Sequence, residues 1–335
     1  MDNLFLEKLK SAVQNRIPFV LFRRPTGKEV ELYIHQNAGN FRFLMHSFDA
    51  KTEKYISTAN RLTMAVSEFD FDKKLELHPA ENIRIITQSA YEKQIKNAIK
   101  TIQETNIRKL VFSRIKPIKN KGFSPFKSFA NLLTQHPNAL VYLWHNPGEE
   151  TWIGATPELL LHQNENQIET VSLAGTKLPE AEWTLKELDE QKFVTDFILD
   201  NIKSLRNIKI TEPETIQAGK FQHLKTYISA EIEDLTQTKS LLESLHPTPA
   251  VCGLPKNAAF DFIIENEGYD RGFYTGYLGI ETPKNREYFV NLRNAQWHND
   301  FIAIYVGGGI TADSNPTKEW EETELKSGTI INALV

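Results

Sequence analysis

The spacing of apolar and polar residues divides the chain into strand-like and helix-like segments. Alternating runs that predict strands occupy residues 17–23, 29–35, 41–47, 107–117 and 138–145. Helical spacing covers residues 4–13, 90–105, 124–136, about 184–205 and 317–334. Ser124 followed by Pro125 is a helix-start signal. A charged region without a clear pattern extends from the third strand to about residue 85.

Two longer stretches predict β-hairpins. Residues 157–175 would turn at Asn164–Asn166, and residues 287–308 would turn at His298–Asp300. Hairpins that alternate with helices favour an α+β fold, with mainly antiparallel β-sheets flanked by helices. There is no internal repeat, low-complexity segment or Pro/Gly/Ser-rich linker. We therefore expect residues 1–335 to form one large single domain.

Charge and cysteine content exclude several classes of protein. The formal net charge is −4, with lysines and acids interspersed, whereas nucleic-acid binders usually carry a basic stripe. The single cysteine, Cys252, excludes an internal disulfide framework and a multi-cysteine metal site. No apolar run approaches the ~20 residues of a membrane span, and the N-terminus lacks the order of a signal peptide. We expect a cytoplasmic protein that binds neither nucleic acid nor a membrane.

The stretch 306–328 joins a glycine run to an acidic helix. Ser314 or Asn315 can cap that helix, and Pro316 fits its first turn. Glu319, Glu322 and Lys326 then share one face. One interpretation is a helix start with a Glu–Lys pair worth a few tenths of a kcal/mol. The other is that Glu319 and Glu322 hold Mg²⁺, while the N–H groups of Gly307–Gly309 receive a carboxylate.

Several segments together indicate a family. In chain order they are KLVFSR, GATPELLL, SLAGTK, HPTPAVCGLP, YDRGFYTGYLG, NLRNA, GGGI and EWEETELK. This order resembles that of the chorismate-utilising enzymes, which include anthranilate synthase component I and the aminodeoxychorismate, isochorismate and salicylate synthases. The resemblance covers roughly residues 90–335, which would form the catalytic core. Residues 1–85 carry no matching segment, and we expect this β-rich part to be integrated with the core.

The resemblance implies a substrate and a reaction. The substrate would be chorismate, a cyclohexadiene dicarboxylate with a C4 hydroxyl and an enolpyruvyl ether. Members of the family deliver a nucleophile to C2 while the C4 hydroxyl departs, with Mg²⁺ present. A dianionic substrate would therefore have to be bound by an acidic protein, which requires local positive charge.

Three residues take catalytic positions in this resemblance. Lys109 corresponds to the base that activates water, and Glu158 to the acid that protonates the departing hydroxyl. His223 aligns near the leaving group. A lysine acts as a base only when neutral, which requires a lowered pKa, and a glutamate acts as an acid near pH 7 only with a raised pKa. Desolvation of Glu158 is the expected cause of the second shift.

The resemblance also implies a metal site and a substrate site. Glu190 would join Glu319 and Glu322 as a Mg²⁺ ligand, in a helix where Asp189 and Gln191 replace the histidines of the family signature. Contacts to substrate carboxylates would come from Gly175, Thr176, Arg293, Gly307 and Lys326. We expect Arg293 to lie on a hairpin strand, with its fork-shaped guanidinium suited to a carboxylate.

The activity implied by these positions is the Mg²⁺-dependent, reversible conversion of chorismate to isochorismate, for menaquinone or siderophore biosynthesis. Ala174 stands where aminodeoxychorismate synthases carry a nucleophilic lysine, which argues against that activity. Three alternatives stay open: a salicylate synthase that continues to pyruvate elimination, an anthranilate synthase component I, and a non-catalytic chorismate-binding relative. No glutaminase subunit is expected as a partner.

Overall fold

A computed structural model describes residues 2–79, 83–218 and 221–335 of the protein. The helices of these residues are α1 (Asp2–Gln14), α2 (Gln88–Glu104), α3 (Pro125–Gln135), α4 (Leu185–Ile202), α5 (Leu235–Leu245), α6 (Lys256–Asn266) and α7 (Pro316–Ile331). A short 3₁₀ turn covers Val66–Glu68. None of the helices within these ranges is long and apolar enough to cross a membrane.

Strands make up most of the remaining regular structure. They are β1 (Phe19–Arg23), β2 (Glu29–Ile34), β3 (Phe41–His46), β4 (Glu53–Thr58), β5 (Leu62–Ala65), β6 (Lys109–Lys119), β7 (Leu140–Asn146), β8 (Glu150–Thr156), β9 (Leu159–Asn164), β10 (Gln167–Lys177), β11 (Arg206–Ile210), β12 (Glu214–Ala218), β13 (Phe221–Glu231), β14 (Gly253–Leu254), β15 (Tyr277–Glu281), β16 (Asn285–Val290), β17 (Asn294–Trp297) and β18 (Phe301–Ile310).

Two large sheets organise these strands. The first has the order β14-β6-β18-β17-β8-β7-β1-β2-β5, and the second has the order β11-β13-β10-β9-β16-β15-β3-β4, with β12 also paired to β13. The ladders between named strands are antiparallel. The α+β prediction with mainly antiparallel sheets is confirmed.

The N-terminal part of the chain contributes to both sheets. Strands β1, β2 and β5 extend the first sheet, whereas β3 and β4 extend the second. The region after β3, where the sequence showed no clear pattern and indicated no element, contains β4 and β5. These two strands end the sheets and form by pairing with β3 and β2, so their own sequences do not alternate clearly.

Apolar side chains fill three kinds of interface. Between the sheets, Phe22 and Trp144 of the first pack with Phe43 and Leu278 of the second. Helices α1 and α3 cover the outer face of the first sheet, and α4 and α5 cover the second. Helices α2, α6 and α7 pack around β6 and β18. The last group determines where the candidate site lies.

Local helix and turn signals behaved as predicted. Ser124 caps α3 by accepting the N–H of Lys127, and Asn315 caps α7 by accepting the N–H groups of Thr317 and Lys318. Turns join β9 to β10 and β17 to β18 at the predicted positions. Side-chain capping and turn formation depend on neighbouring residues only, which explains this success.

The segment around Arg293 differs from its prediction. It was expected to be one hairpin strand, but β16 belongs to the second sheet and β17 to the first. The chain therefore crosses between the sheets at residues 291–293, and Arg293 has φ +49°. A continuous apolar pattern does not reveal this crossing, because both strands bury side chains in their own sheets.

Candidate active site

The glycine run of β18 forms the centre of the site. Gly307, Gly308 and Gly309 pair with Ser113, Phe112 and Val111 of β6. On the other side, β17 pairs with β18 only between Ile302 and Ile304. The opposite edge of the glycines is therefore left to other elements, and the Lys326 ammonium of α7 donates a hydrogen bond of 2.9 Å to the Gly307 carbonyl.

Two carboxylates of α7 meet at Gly308. A Cβ atom on this residue would lie 3.1 Å from Glu319 Oε2 and 3.5 Å from Glu322 Oε1. A side chain at this position would crowd the Glu319 carboxylate and displace it by a few tenths of an ångström. The predicted ion pair between Glu322 and Lys326 is present, with 2.6 Å between Glu322 Oε1 and Lys326 Nζ.

Lys109 approaches the same glycine run from the start of β6. Its Cε would lie 3.0 Å from a Cβ on Gly309, and its Nζ is 2.8 Å from Glu190 Oε1 on α4. The Lys109 side chain is only 17% exposed. Gly309 thus leaves room for Lys109, the predicted base, and the adjacent Gly308 leaves room for the α7 carboxylates on the other side of the strand.

Glu158 lies between β8 and β9 and has the electrostatic properties that an acid needs. Burial raises the pKa of its carboxyl to about 7, against the opposing effects of Lys109, Arg293 and Lys326. The carboxyl is therefore partly protonated at neutral pH. The same three effects show that the predicted base and two predicted substrate-binding cations lie within electrostatic reach of Glu158.

His223 and Gly175 are brought together by the pairing of β10 with β13. The register shifts between Ala174 and Thr176, and Gly175 adopts φ +71° at this irregularity. The Nδ1 atom of His223 lies 3.2 Å from the Gly175 carbonyl oxygen. Burial lowers the pKa of His223, and Arg293 and Lys326 add to this effect. Thr176 contributes its backbone to β10, whereas its side chain lies outside the described part of the structure.

Gln191 has a role that the sequence did not reveal. Its side chain is buried, and its Oε1 accepts the backbone N–H of Ala174 at 2.8 Å. Its Nε2 donates to the Ser172 carbonyl at 3.2 Å and to the Thr226 hydroxyl at 3.1 Å. The amide therefore attaches α4 to β10 and β13 beside Glu190.

Gln191→Leu is expected to destabilise this attachment. The change keeps the volume but leaves the Ala174 N–H buried without its partner, which costs about 1–3 kcal/mol. Chemical denaturation should measure this loss. Lys192→Leu is the matched control, because Lys192 is exposed and pairs with Asp196 along the helix surface. Equal stability of the two variants would contradict the role of the buried amide.

Two further residues complete the site. Arg293, on the crossing between the sheets, is exposed to solvent. Its positive charge favours a lower pKa for both Glu158 and His223. Tyr274 was not predicted, yet its buried hydroxyl would lie 3.1 Å from a Cβ on Gly307. The tyrosine within YDRGFYTGYLG was the available signal, but nothing local distinguishes it from the other aromatic residues of that segment.

The predicted metal ligands are only partly brought together. Among the described residues, no group of three or more His, Cys, Asp or Glu side chains is arranged to hold a metal ion. Glu319 and Glu322 meet at Gly308, but Glu190 is paired with Lys109. The two α7 carboxylates fit Mg²⁺, since this ion commonly takes one or two carboxylates and completes its shell with water and an anionic substrate.

Comparison with known proteins decides the family. The sequence model of the chorismate binding enzymes matches residues 30–335. The chain belongs to this family. The site described above therefore lies in a chorismate-binding enzyme, and residues 30–85, for which the sequence offered no resemblance, fall within the match.

Relatives of this chorismate-binding enzyme include isochorismate synthase 2, chloroplastic, from Arabidopsis thaliana, at 29% identity over 72% of this chain and 46% of that protein. Isochorismate synthase MenF from Haemophilus influenzae is 29% identical over 71% of this chain and 59% of that protein. The chain thus spans about half the length of these relatives. The structure of MenF, the menaquinone-specific isochorismate synthase from Escherichia coli, shares the fold, with a TM-score of 0.78 at 20% identity over 94% of this chain and 88% of that chain.

Proposed function

We propose that this chorismate-binding enzyme is an isochorismate synthase. The observation that carries the proposal is the position of Glu158, a buried carboxyl with a pKa of about 7 that lies within the electrostatic influence of Lys109. An acid that remains partly protonated at neutral pH and a lysine across the same site form an acid–base pair. Similarity to proteins named isochorismate synthases supports the same conclusion.

The reaction requires one proton transfer at each end. Lys109, in its neutral form, takes a proton from a water molecule as the water oxygen bonds to C2 of chorismate. The ring double bonds shift and the C4–oxygen bond breaks. Glu158 donates its proton to this oxygen, which leaves as water. One water enters and one departs, so the conversion is an isomerisation and is reversible.

Positive groups near Glu158 suit a dicarboxylate substrate. Arg293 offers two parallel N–H donors, and Lys326 already lies on the Gly307 carbonyl. The backbone around Gly175 and the Tyr274 hydroxyl offer further donors. With its pKa lowered, His223 is neutral at pH 7 and can donate or accept one hydrogen bond near the leaving hydroxyl.

Glu319 and Glu322 would hold Mg²⁺, and Glu190 would join them on leaving Lys109. The bound ion supplies positive charge that offsets repulsion between these glutamates and the substrate carboxylate. In the described structure Glu190 instead orients the Lys109 side chain through a contact of 2.8 Å. The same carboxylate is thus available to both the base and the metal site.

Product identification tests the proposed function. The purified chain should convert chorismate to isochorismate when Mg²⁺ is added, without a second subunit, because the nucleophile is water. Salicylate with pyruvate as the main products would assign the salicylate synthase activity instead. Ammonia-dependent formation of anthranilate would assign the anthranilate synthase activity. Chorismate binding without any conversion would identify a non-catalytic relative.

Glu322→Gln is expected to raise the Mg²⁺ concentration needed for half-maximal turnover. The amide keeps the shape of the side chain but removes one of the two negative charges beside Gly308. Glu321→Gln is the matched control, because Glu321 is an exposed neighbour on the same helix. Titration of Mg²⁺ against both variants gives the comparison. An unchanged metal requirement in Glu322→Gln would refute its assignment as a ligand.

A further inference from the structure

Arg114 connects the strand that carries Lys109 to the helix that carries Glu319 and Glu322. It lies on β6 opposite Val306, beside the pair formed by Ser113 and Gly307. Its side chain is 3% exposed. Burying a guanidinium is costly unless its donors are satisfied, so the contacts of this side chain indicate what it does.

Those contacts are concentrated on one turn of α7. The Arg114 Nε donates a hydrogen bond of 2.9 Å to the Thr323 hydroxyl. Its guanidinium carbon lies 3.6 Å from the ring centroid of Trp320, and the same group pairs with Glu324. A planar guanidinium that stacks on one residue and donates a hydrogen bond to another defines both the distance and the orientation of α7 relative to β6. A lysine ammonium cannot do this.

The contacted residues lie between the functional residues of the same helix. Trp320 and Thr323 alternate with Glu319 and Glu322 in sequence, and Lys326 follows. Successive residues of an α-helix are turned by about 100°. A slip of one residue would therefore carry the two carboxylates away from Gly308 and withdraw Lys326 from Gly307. Trp320 also packs against Tyr91 of α2, with 5.7 Å between the two ring centroids.

Charge compensation alone does not account for Arg114. Lys116, on the same strand, already pairs with Glu324 at 2.6 Å and donates to the Ser327 hydroxyl at 3.1 Å. Glu324 thus has a second cation. What Arg114 adds is the stacking on Trp320 and the hydrogen bond to Thr323.

We propose that Arg114 is a positioning residue that sets the rotation and height of α7, so that Glu319 and Glu322 face Gly308. The proposal rests on the proposed function, in which these carboxylates hold Mg²⁺. Arg114 touches neither substrate nor metal in this view. It acts through α7, by linking the carboxylates to the two strands that carry Lys109 and the glycine run.

The test compares Arg114→Met with Lys116→Met. Methionine approximates the length of either side chain, and Glu324 keeps one of its two cations in each variant. Both variants lose a partner of Glu324, but only the first loses the contacts to Trp320 and Thr323. Calorimetric titration with Mg²⁺ alone measures metal affinity, thermal unfolding measures stability, and chorismate turnover is recorded separately.

Arg114→Met is expected to weaken Mg²⁺ binding by about 10–100-fold, the usual effect of removing a residue that orients ligands. Lys116→Met should stay near the wild-type affinity. If Arg114→Met does not fold, Thr323→Val takes its place as the test variant. It removes the hydroxyl that accepts the Arg114 hydrogen bond at nearly constant volume, and its Mg²⁺ affinity should also fall.

Two outcomes overturn the inference. One is a folded Arg114→Met, or Thr323→Val in its place, whose Mg²⁺ affinity matches that of Lys116→Met. The other is a loss of thermal stability without a change in affinity, which would show a merely structural role. Failure of the proposed function is distinguishable, since in that case the wild-type protein itself would show no Mg²⁺ binding or no isochorismate.

Discussion

Lys109→Ala is expected to lower turnover of chorismate to isochorismate by about 10²–10⁴-fold, the usual contribution of a general base. Alanine has no group that can take the proton from the attacking water. Binding of Mg²⁺ should be kept, because the α7 carboxylates lie on the other side of the glycine run and Glu190 loses a competing partner. Steady-state rates and calorimetric titration with Mg²⁺ measure the two effects separately.

Lys116→Ala provides the control for this variant. Lys116 lies on the same strand, is 21% exposed and pairs with a glutamate, much as Lys109 does. It lies away from the glycine run, so turnover should remain close to that of the wild type. Near-normal turnover of Lys109→Ala would remove this lysine from the role of base. A large loss in both variants would point to disruption of β6 instead.

Glu158→Gln is expected to separate activity from stability. Glutamine cannot donate a carboxylic proton, so turnover should fall by about 10²–10⁴-fold. The wild-type carboxyl has its pKa raised from 4.5 to about 7 by burial. Its contribution to folding stability is therefore fully present below pH 4.5 and is lost as the pH rises through 7. Glutamine does not ionise, so the variant should be more heat-stable than the wild type at pH 8.

Melting temperatures of both proteins between pH 4 and pH 9 check this prediction. The gain of Glu158→Gln over the wild type should grow between about pH 4.5 and pH 7 and stay constant above pH 7. Wild-type turnover should fall as the pH rises above 7 and the acid loses its proton. Glu165→Gln, at the exposed turn between β9 and β10, is the control and should follow the wild type. A Glu158→Gln variant whose stability parallels the wild type across this range would contradict a buried, protonated Glu158.

Features that depend on neighbouring residues were predictable. The caps at Ser124 and Asn315, the turn at Asn164–Asn166 and the ion pair of Glu322 with Lys326 follow from chemistry within one turn of chain. The order of motifs also indicated the family, because each motif is a short local pattern. The same patterns did not predict β4 and β5, whose formation depends on strands elsewhere in the sheets.

Several site residues were predicted by type but not by surroundings. Arg293 was placed on a strand, whereas it lies where the chain crosses from one sheet to the other. Gln191 was noted only because it replaces a histidine of the family motif. In the structure its amide accepts the N–H of Ala174, where the register of β10 shifts. Tyr274 was overlooked. In each case the informative contact joins segments far apart in sequence, which no local pattern encodes.

The chain's local chemistry thus specifies its helices, turns and family, and it supplies the acids and bases of the site. How these charges combine is a matter of three-dimensional packing. Lys109 meets Glu190 because α4 is attached to β10, and Glu319 and Glu322 meet at Gly308 because α7 lies against β6 and β18. Coulombic interactions and desolvation depend on distance and burial. Only the assembled sheets and helices bring residues so distant in sequence to those distances.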